Sequence, residues 1–178
     1  KAVHHYPGEY YAAWRRDLPQ LPVERLQIGA FGENLSTLGL AEANVCVGDV
    51  FRLGEATVQV SQARQPCWKL NLRFGLADMA LRVQQSGRTG WYYRVLEAGE
   101  VAPGDTLRLL ERPCPAWPLA RLLHHLYVDP LNSDALEAIA ALETLSASWR
   151  ALARQRLATG QVEDASRRLT TPEIRKSR

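Results

Sequence analysis

The run from residue 44 to residue 60 constrains this chain most. Val45-Cys46-Val47, Val50-Phe51-Arg52-Leu53 and Ala56-Thr57-Val58-Gln59-Val60 are short apolar-rich stretches, separated by Gly48-Asp49 and Gly54-Glu55. Those dipeptides carry the residue types that tight turns require. Short strands at this spacing predict a barrel or sandwich rather than a parallel sheet. Cys46 alternates with Val45 and Val47, so it lies on the opposite strand face and reads as packing.

Further strands are expected at Trp91 to Leu96 and Thr106 to Glu111, on either side of the Ala98-Gly99 turn. A helix from Leu76 to Gln85 precedes them, with Gly87 as its C-terminal stop. Nearer the start, Pro7 suits a first helical position ahead of Glu9 to Leu18. Tyr10, Trp14 and Leu18 recur there at helical spacing, which predicts an amphipathic helix.

At Pro113-Cys114-Pro115 and Pro118 the pattern changes from strands to helices. Leu119, Leu122, Leu123 and Leu126 fall on one helical stripe. Ser133 can cap a second helix running to Leu142, and Ser146 a third that carries Trp149, Leu152 and Ala153 and stops at Gly160. Each is too short to persist alone, whereas three packed together are stable. The expected organisation is a strand domain over 1–112, a separable three-helix unit over 116–160 joined by a proline-rich linker, and a basic tail over 161–178. The tail reads as a solvated end, with mobile last residues.

Composition narrows the function classes. The formal charge of +3 is small and evenly spread, which argues against a nucleic-acid partner. No apolar run approaches the roughly 20 residues of a membrane helix, and no signal-peptide core is present. Three scattered cysteines do not make a secreted disulfide framework, so a cytoplasmic protein with reduced thiols is expected. The His-Glu-x-x-His, Cys-x-x-Cys, Walker, Gly-x-Gly-x-x-Gly and Gly-x-Ser-x-Gly patterns are all missing. The histidines come as two adjacent pairs, His4-His5 and His124-His125, and neighbouring helix positions chelate poorly.

One stretch stands apart: Ser61-Gln62-Ala63-Arg64-Gln65-Pro66-Cys67-Trp68-Lys69-Leu70-Asn71. It follows a strand and breaks into a loop, because Pro66 fixes its own φ and pushes Gln65 toward an extended conformation. Cys67 is flanked in sequence by Arg64 and Lys69, and nearby cations favour the thiolate, which is the nucleophile and metal ligand. The alternative is a small buried hydrophobe beside Trp68. Three other positions are equally two-sided. Asn34, in Phe31-Gly32-Glu33-Asn34-Leu35, offers a donor and an acceptor to a heterocycle edge, or an Asx turn. Arg88, in Arg88-Thr89-Gly90-Trp91, suits a phosphate-like anion or plain solvent. His4-His5 suits a site edge or a solvated turn.

The cysteine loop resembles that of the MOSC family, the molybdenum cofactor sulfurase C-terminal domains. Lys1-Ala2-Val3-His4-His5-Tyr6-Pro7, Phe31-Gly32-Glu33-Asn34-Leu35 with Gly39-Leu40, and Val47-Gly48-Asp49 support the match in order. With the helical end, the chain is similar to the YiiM type of N-hydroxylaminopurine-resistance proteins. The resemblance implies a MOSC-type β-barrel of the pyruvate kinase β-barrel-like class, mainly β with α, followed by a small three-helix bundle. It also implies strands ahead of Lys1, so the chain reads as part of a longer protein.

The cofactor implied is a molybdopterin-based molybdenum cofactor, with Cys67 as catalytic residue and metal ligand. His5, Gly32, Glu33, Asn34, Ser61, Gln62, Arg64, Lys69, Asn71 and Arg88 are the candidate cofactor-binding residues. The reaction implied is reduction of a small N-hydroxylated substrate such as 6-N-hydroxylaminopurine. With no flavin or iron–sulfur motif here, a separate flavoprotein reductase is the implied electron donor. Pyridoxal phosphate binding is a family-level association, and a homodimer is an assembly the resemblance allows. Two alternatives stand beside this reading. One is a persulfide sulfur carrier using Cys67, the other a non-catalytic binding module with an inert Cys67.

Overall fold

In the computed structural model, which describes residues 3–172, a mixed region holding all five strands is followed by a purely helical one. The strands are β1 (Val3–His5), β2 (Val50–Leu53), β3 (Ala56–Ala63), β4 (Trp91–Glu97) and β5 (Leu107–Glu111). They form one antiparallel sheet in the order β1-β4-β3-β2-β5. α1 (Tyr10–Asp17) precedes β2; α2 (Lys69–Phe74) and α3 (Met79–Ser86) lie between β3 and β4. α4 (Leu119–Tyr127), α5 (Ser133–Ala141), α6 (Ala147–Thr159) and α7 (Ser166–Leu169) follow β5 among the described residues. No helix among the described residues is long and apolar enough to cross a membrane.

Several expectations shift for identifiable reasons. β3 runs on to Ala63, so Ser61 and Gln62 sit in a strand rather than a loop. Its register with β4 slips between Val60 and Gln62, a bulge that bends the strand just before the cysteine. Lys69 and Asn71 belong to α2, because Leu70 and Phe74 fall four apart and are both buried. Val45-Cys46-Val47 is not a strand. Its amides and carbonyls pair with the start of the helical unit instead: Val47 N donates to the Trp117 carbonyl at 2.9 Å and Leu119 N to the Val45 carbonyl at 2.8 Å. Cys46 is buried, as its packing role requires. α5 is capped by Asn132, whose Oδ1 accepts from Ala135 N at 3.0 Å, rather than by Ser133.

The helical unit packs directly against the strand region. Val45, Phe51, Val58, Val60 and Trp91 of the strand region share one continuous buried core with Trp117, Leu119, Leu122, Leu136, Ile139, Trp149 and Ala153. Arg112, at the approach to the linker, makes a two-point ion pair with the fully buried Asp49, at 2.9 and 2.8 Å. A second core gathers Tyr6, Tyr11, Trp14 and Phe31 with Leu70 and Phe74 of α2, so α1 supports the segment after the cysteine.

The tail departs most from expectation. α7 and the residues beyond it turn back onto the cysteine loop, where Trp68 N donates to the Arg168 carbonyl at 2.7 Å. The expected mobile end, 173–178, lies outside the described residues.

Candidate functional site

The bulged end of β3 delivers the loop to a fixed place. Arg64 N donates to the Gly90 carbonyl at 2.9 Å, closing the strand edge. The Arg64 guanidinium then donates through Nη1 to the Phe31 carbonyl at 2.6 Å, which fastens the cysteine loop to the Gly29–Leu35 loop. Pro66 is buried, Cys67 half-buried and Lys69 exposed. The Cys67 carbonyl accepts from Leu70 N at 2.9 Å, so the thiol sits at the lip of α2.

His4 of β1 and Asn34 of the Gly29–Leu35 loop pair with each other. His4 N donates to Asn34 Oδ1 at 2.8 Å, while the His4 carbonyl accepts from Asn34 N and Leu35 N at 2.8 and 3.0 Å. That leaves the Asn34 amide nitrogen facing outward on an exposed residue. The His4 ring is buried, and its Nε2 has no hydrogen-bond partner among the described residues. Burial, then the positive charge of Arg64, push its pKa down to about 4; the carbonyls of Gly32 and Thr89 and the charge of Glu33 pull weakly the other way. At neutral pH His4 is therefore uncharged, and Arg64 supplies the positive charge here. Gly90 makes the close approach possible: a Cβ there would lie 2.3 Å from the His5 carbonyl and 2.9 Å from His4 Nε2.

Six of the candidate cofactor residues are engaged with the protein itself. His5 is fully buried, stacked on Trp91 at 4.3 Å, with ring nitrogens against Tyr93 Oη at 3.1 Å and Thr37 Oγ1 at 3.0 Å. Glu33 accepts from Gly29 N, Phe31 N and the Tyr11 hydroxyl, holding its own loop. Ser61 donates to the Tyr92 carbonyl, and the Gln62 side chain is buried within the sheet. Asn71 Oδ1 accepts from Ala80 N at 2.8 Å to start α3, while its Nδ2 donates to the Leu169 carbonyl at 2.8 Å. Arg88 is ion-paired with Asp17 and lies 3.9 Å over the Trp14 ring, so it braces α1 rather than standing free on its turn. Cys67, Gly32, Asn34, Arg64 and Lys69 keep surface or polar capacity for a ligand.

Glu42 and Arg168 have no counterpart among the sequence candidates, and His4 enters there only as half of the His4-His5 pair. Glu42 is buried and accepts from Tyr10 Oη at 2.6 Å, Thr89 N at 2.8 Å and Gly90 N at 2.6 Å, clamping the turn beneath His4. His4, rather than His5, faces the Arg64 node. Arg168 reaches the cysteine loop across 102 positions of chain. No local pattern marks Glu42 or Arg168, whereas His4 lay in view beside the residue chosen.

A pterin-type cofactor needs hydrogen-bonding edges, a cation for its phosphate and, for molybdenum already carrying sulfur ligands, a soft thiolate. The residues present fit that requirement: a half-buried thiol, the Arg64 cation beside an unpartnered buried imidazole nitrogen, the outward Asn34 amide, and Gly32 with open space around its Cα. A different cluster, His124, His125 and Asp129, brings donor atoms within 4.8 Å of one another at the end of α4. None of the three hydrogen-bonds to the cysteine loop among the described residues.

Known proteins share both the pattern and the shape. Residues 1–108 match the MOSC domain, and residues 117–160 match the YiiM-like, 3-alpha helix domain. The chain is 50% identical over 151 residues to the uncharacterized protein YflK of Bacillus subtilis (strain 168), spanning 85% of this chain and 66% of that protein. It is 41% identical over 171 residues to Protein YiiM of Escherichia coli (strain K12), spanning 95% of this chain and 75% of that one. The crystal structure of that YiiM superposes with a TM-score of 0.91, covering 96% of this chain and 84% of the crystallised one. A protein of Gibberella moniliformis (strain M3125 / FGSC 7600) named Reductase is 44% identical over 118 residues, which are 66% of this chain and 21% of that protein.

Proposed function

This chain belongs to the MOSC domain family and carries a YiiM-like three-helix domain behind it, and from that premise we propose that it is a cytoplasmic, molybdenum cofactor-dependent reductase of N-hydroxylated compounds. The observation that carries the reading is the setting of Cys67. It is a half-buried thiol on a loop tied by Arg64 to the Gly29–Leu35 loop, and that loop carries the exposed Asn34, whose amide oxygen accepts from the backbone of the buried, neutral His4. A relative named Reductase, in which the matching segment is a fifth of a longer protein, supports the class of chemistry.

In this reading Cys67 holds molybdenum through its thiolate. Arg64 and Lys69 balance negative charge on the pterin and its phosphate, and Asn34 reads a heterocycle edge. Gly32 leaves room for a planar group to approach the backbone. When bound, the cofactor supplies the two-electron chemistry; the protein positions it and tunes its surroundings. The reaction breaks the N–O bond of the substrate, consumes two electrons and two protons, and yields the amine and water. The electrons come from a separate flavoprotein reductase. Neutral His4 adds no second positive charge beside Arg64.

Full-length protein loaded with molybdenum cofactor tests the proposal. Stoichiometric molybdenum, and conversion of 6-N-hydroxylaminopurine to adenine with an added flavoprotein reductase, are expected. Loaded protein that reduces no N-hydroxylated base or amine under those conditions overturns it.

A further inference from the structure

We infer that Arg168 is a positioning residue for Cys67, delivered to the site by the three-helix unit. Two backbone groups flank the cysteine directly, the carbonyl of Pro66 and the amide of Trp68. Both are held by Arg168: its Nη1 donates to the Pro66 carbonyl at 2.6 Å, and its own carbonyl accepts from Trp68 N at 2.7 Å. Those groups belong to the two peptide planes that meet at the Cys67 Cα. Peptide planes are rigid, so pinning both fixes φ and ψ of Cys67 and leaves the thiol only its side-chain rotation.

An arginine suits this place for a geometric reason. Its fork spans two acceptors at once, the Pro66 carbonyl and Gln84 Oε1 of α3, the second at 2.7 Å. A lysine ammonium carries the same charge but lacks the planar fork. The guanidinium also stands 5.8 Å from the Tyr127 ring of α4. Next to it, Asn71 of α2 donates to the Leu169 carbonyl at 2.8 Å and to Thr171 Oγ1 at 3.3 Å, so the strap is fastened on both sides of the cysteine.

The three-helix unit sets the strap's path. α6 ends at Gly160, and Glu163 then pairs with the buried Arg156 through two bonds of 2.9 and 2.8 Å. Arg156 itself donates to the Leu126 carbonyl at the end of α4 at 3.0 Å. The pair turns the chain back from the bundle toward Arg168. The helical unit thus reaches the two peptides around Cys67 through its trailing segment. The consequence for turnover rests on the reading of Cys67 given above; the positioning itself does not.

The test uses the full chain without cofactor. Iodoacetamide modification of each cysteine is followed by peptide mass spectrometry across a pH series, which separates the limiting rate at high pH from the titration midpoint. In Arg168→Ala the limiting rate at Cys67 should rise about tenfold, as expected for the loss of charge-assisted hydrogen bonds. The buried Cys46 should be unchanged, and Arg168→Lys should recover less than half of the protection. An unchanged Cys67 rate, full recovery by Arg168→Lys, or a change confined to the midpoint would each overturn the assignment. So would a rise shared by Cys46, which would make Arg168 a support of the whole fold. Because no cofactor enters, failure here leaves the reductase proposal standing, and failure of that proposal leaves this result intact.

Discussion

Acidification should unfold this protein through its buried histidines, and His5 gives the sharpest case. Burial, then the neighbouring His4, push its pKa from the ordinary 6.5 down to about 3. The folded state therefore binds its proton only at low pH, while the unfolded chain takes one up near 6.5. The stability that neutral His5 contributes is complete above 6.5 and is lost as pH falls toward about 3. Each unit inside that window costs about 1.4 kcal/mol, so His5 alone removes about 2 kcal/mol between about pH 8 and about pH 5. His5→Phe keeps a ring against Trp91 but cannot titrate. It starts less stable, because the Tyr93 and Thr37 hydroxyls lose their partner. Urea unfolding at stepped pH, followed by tryptophan fluorescence, should show the wild type losing about 2 kcal/mol more than the variant over that range. Parallel pH dependences would refute the claim that His5 is held neutral by burial.

Two further outcomes follow from the packing. Asn71→Ala leaves the Ala80 amide and the Leu169 carbonyl without partners and should cost about 2–4 kcal/mol in chemical denaturation, with a cost under about 1 kcal/mol counting against its bridging role. Gly90→Ala, at φ +68 with backbone 2.3 Å from the new Cβ, should prevent soluble folding, whereas Gly32→Ala, at φ +73 with nothing within 4 Å, should cost only about 1–2 kcal/mol; equal thermal melting of the two would contradict the close approach at Gly90.

What could be read beforehand was whatever depends on near neighbours in sequence. The leucine stripe of α4 is buried as its spacing requires, and Gly87 and Gly160 end their helices in left-handed conformations. The Gly54-Glu55 turn joins β2 to β3, as the residue types require, and Gly48 turns just ahead of β2. The end of β3 is not legible in the sequence, because a bulge lets a polar Ser-Gln pair stay buried, and local polarity alone looks like a loop. α2 was missed because only two apolar residues mark its inner face within six positions. The candidate site divides the same way. Cys67 and Arg64 stand out by residue type, but the roles of Asn71, Glu33 and Arg88 depend on partners chosen by the fold. Arg168 and Pro66, 102 positions apart, leave no trace in any local window.

In the proposed reductase, Cys67 supplies the protein thiolate to molybdenum. X-ray absorption at the molybdenum edge, on cofactor-loaded full-length protein and its Cys67→Ser variant, tests it most directly. Unchanged circular dichroism is required of the variant, and Cys46→Ser and Cys114→Ser serve as controls. Cys67→Ser should lose one molybdenum–sulfur contribution and all turnover, while both controls keep the wild-type spectrum. A folded Cys67→Ser protein with an unaltered sulfur shell and normal turnover would contradict it.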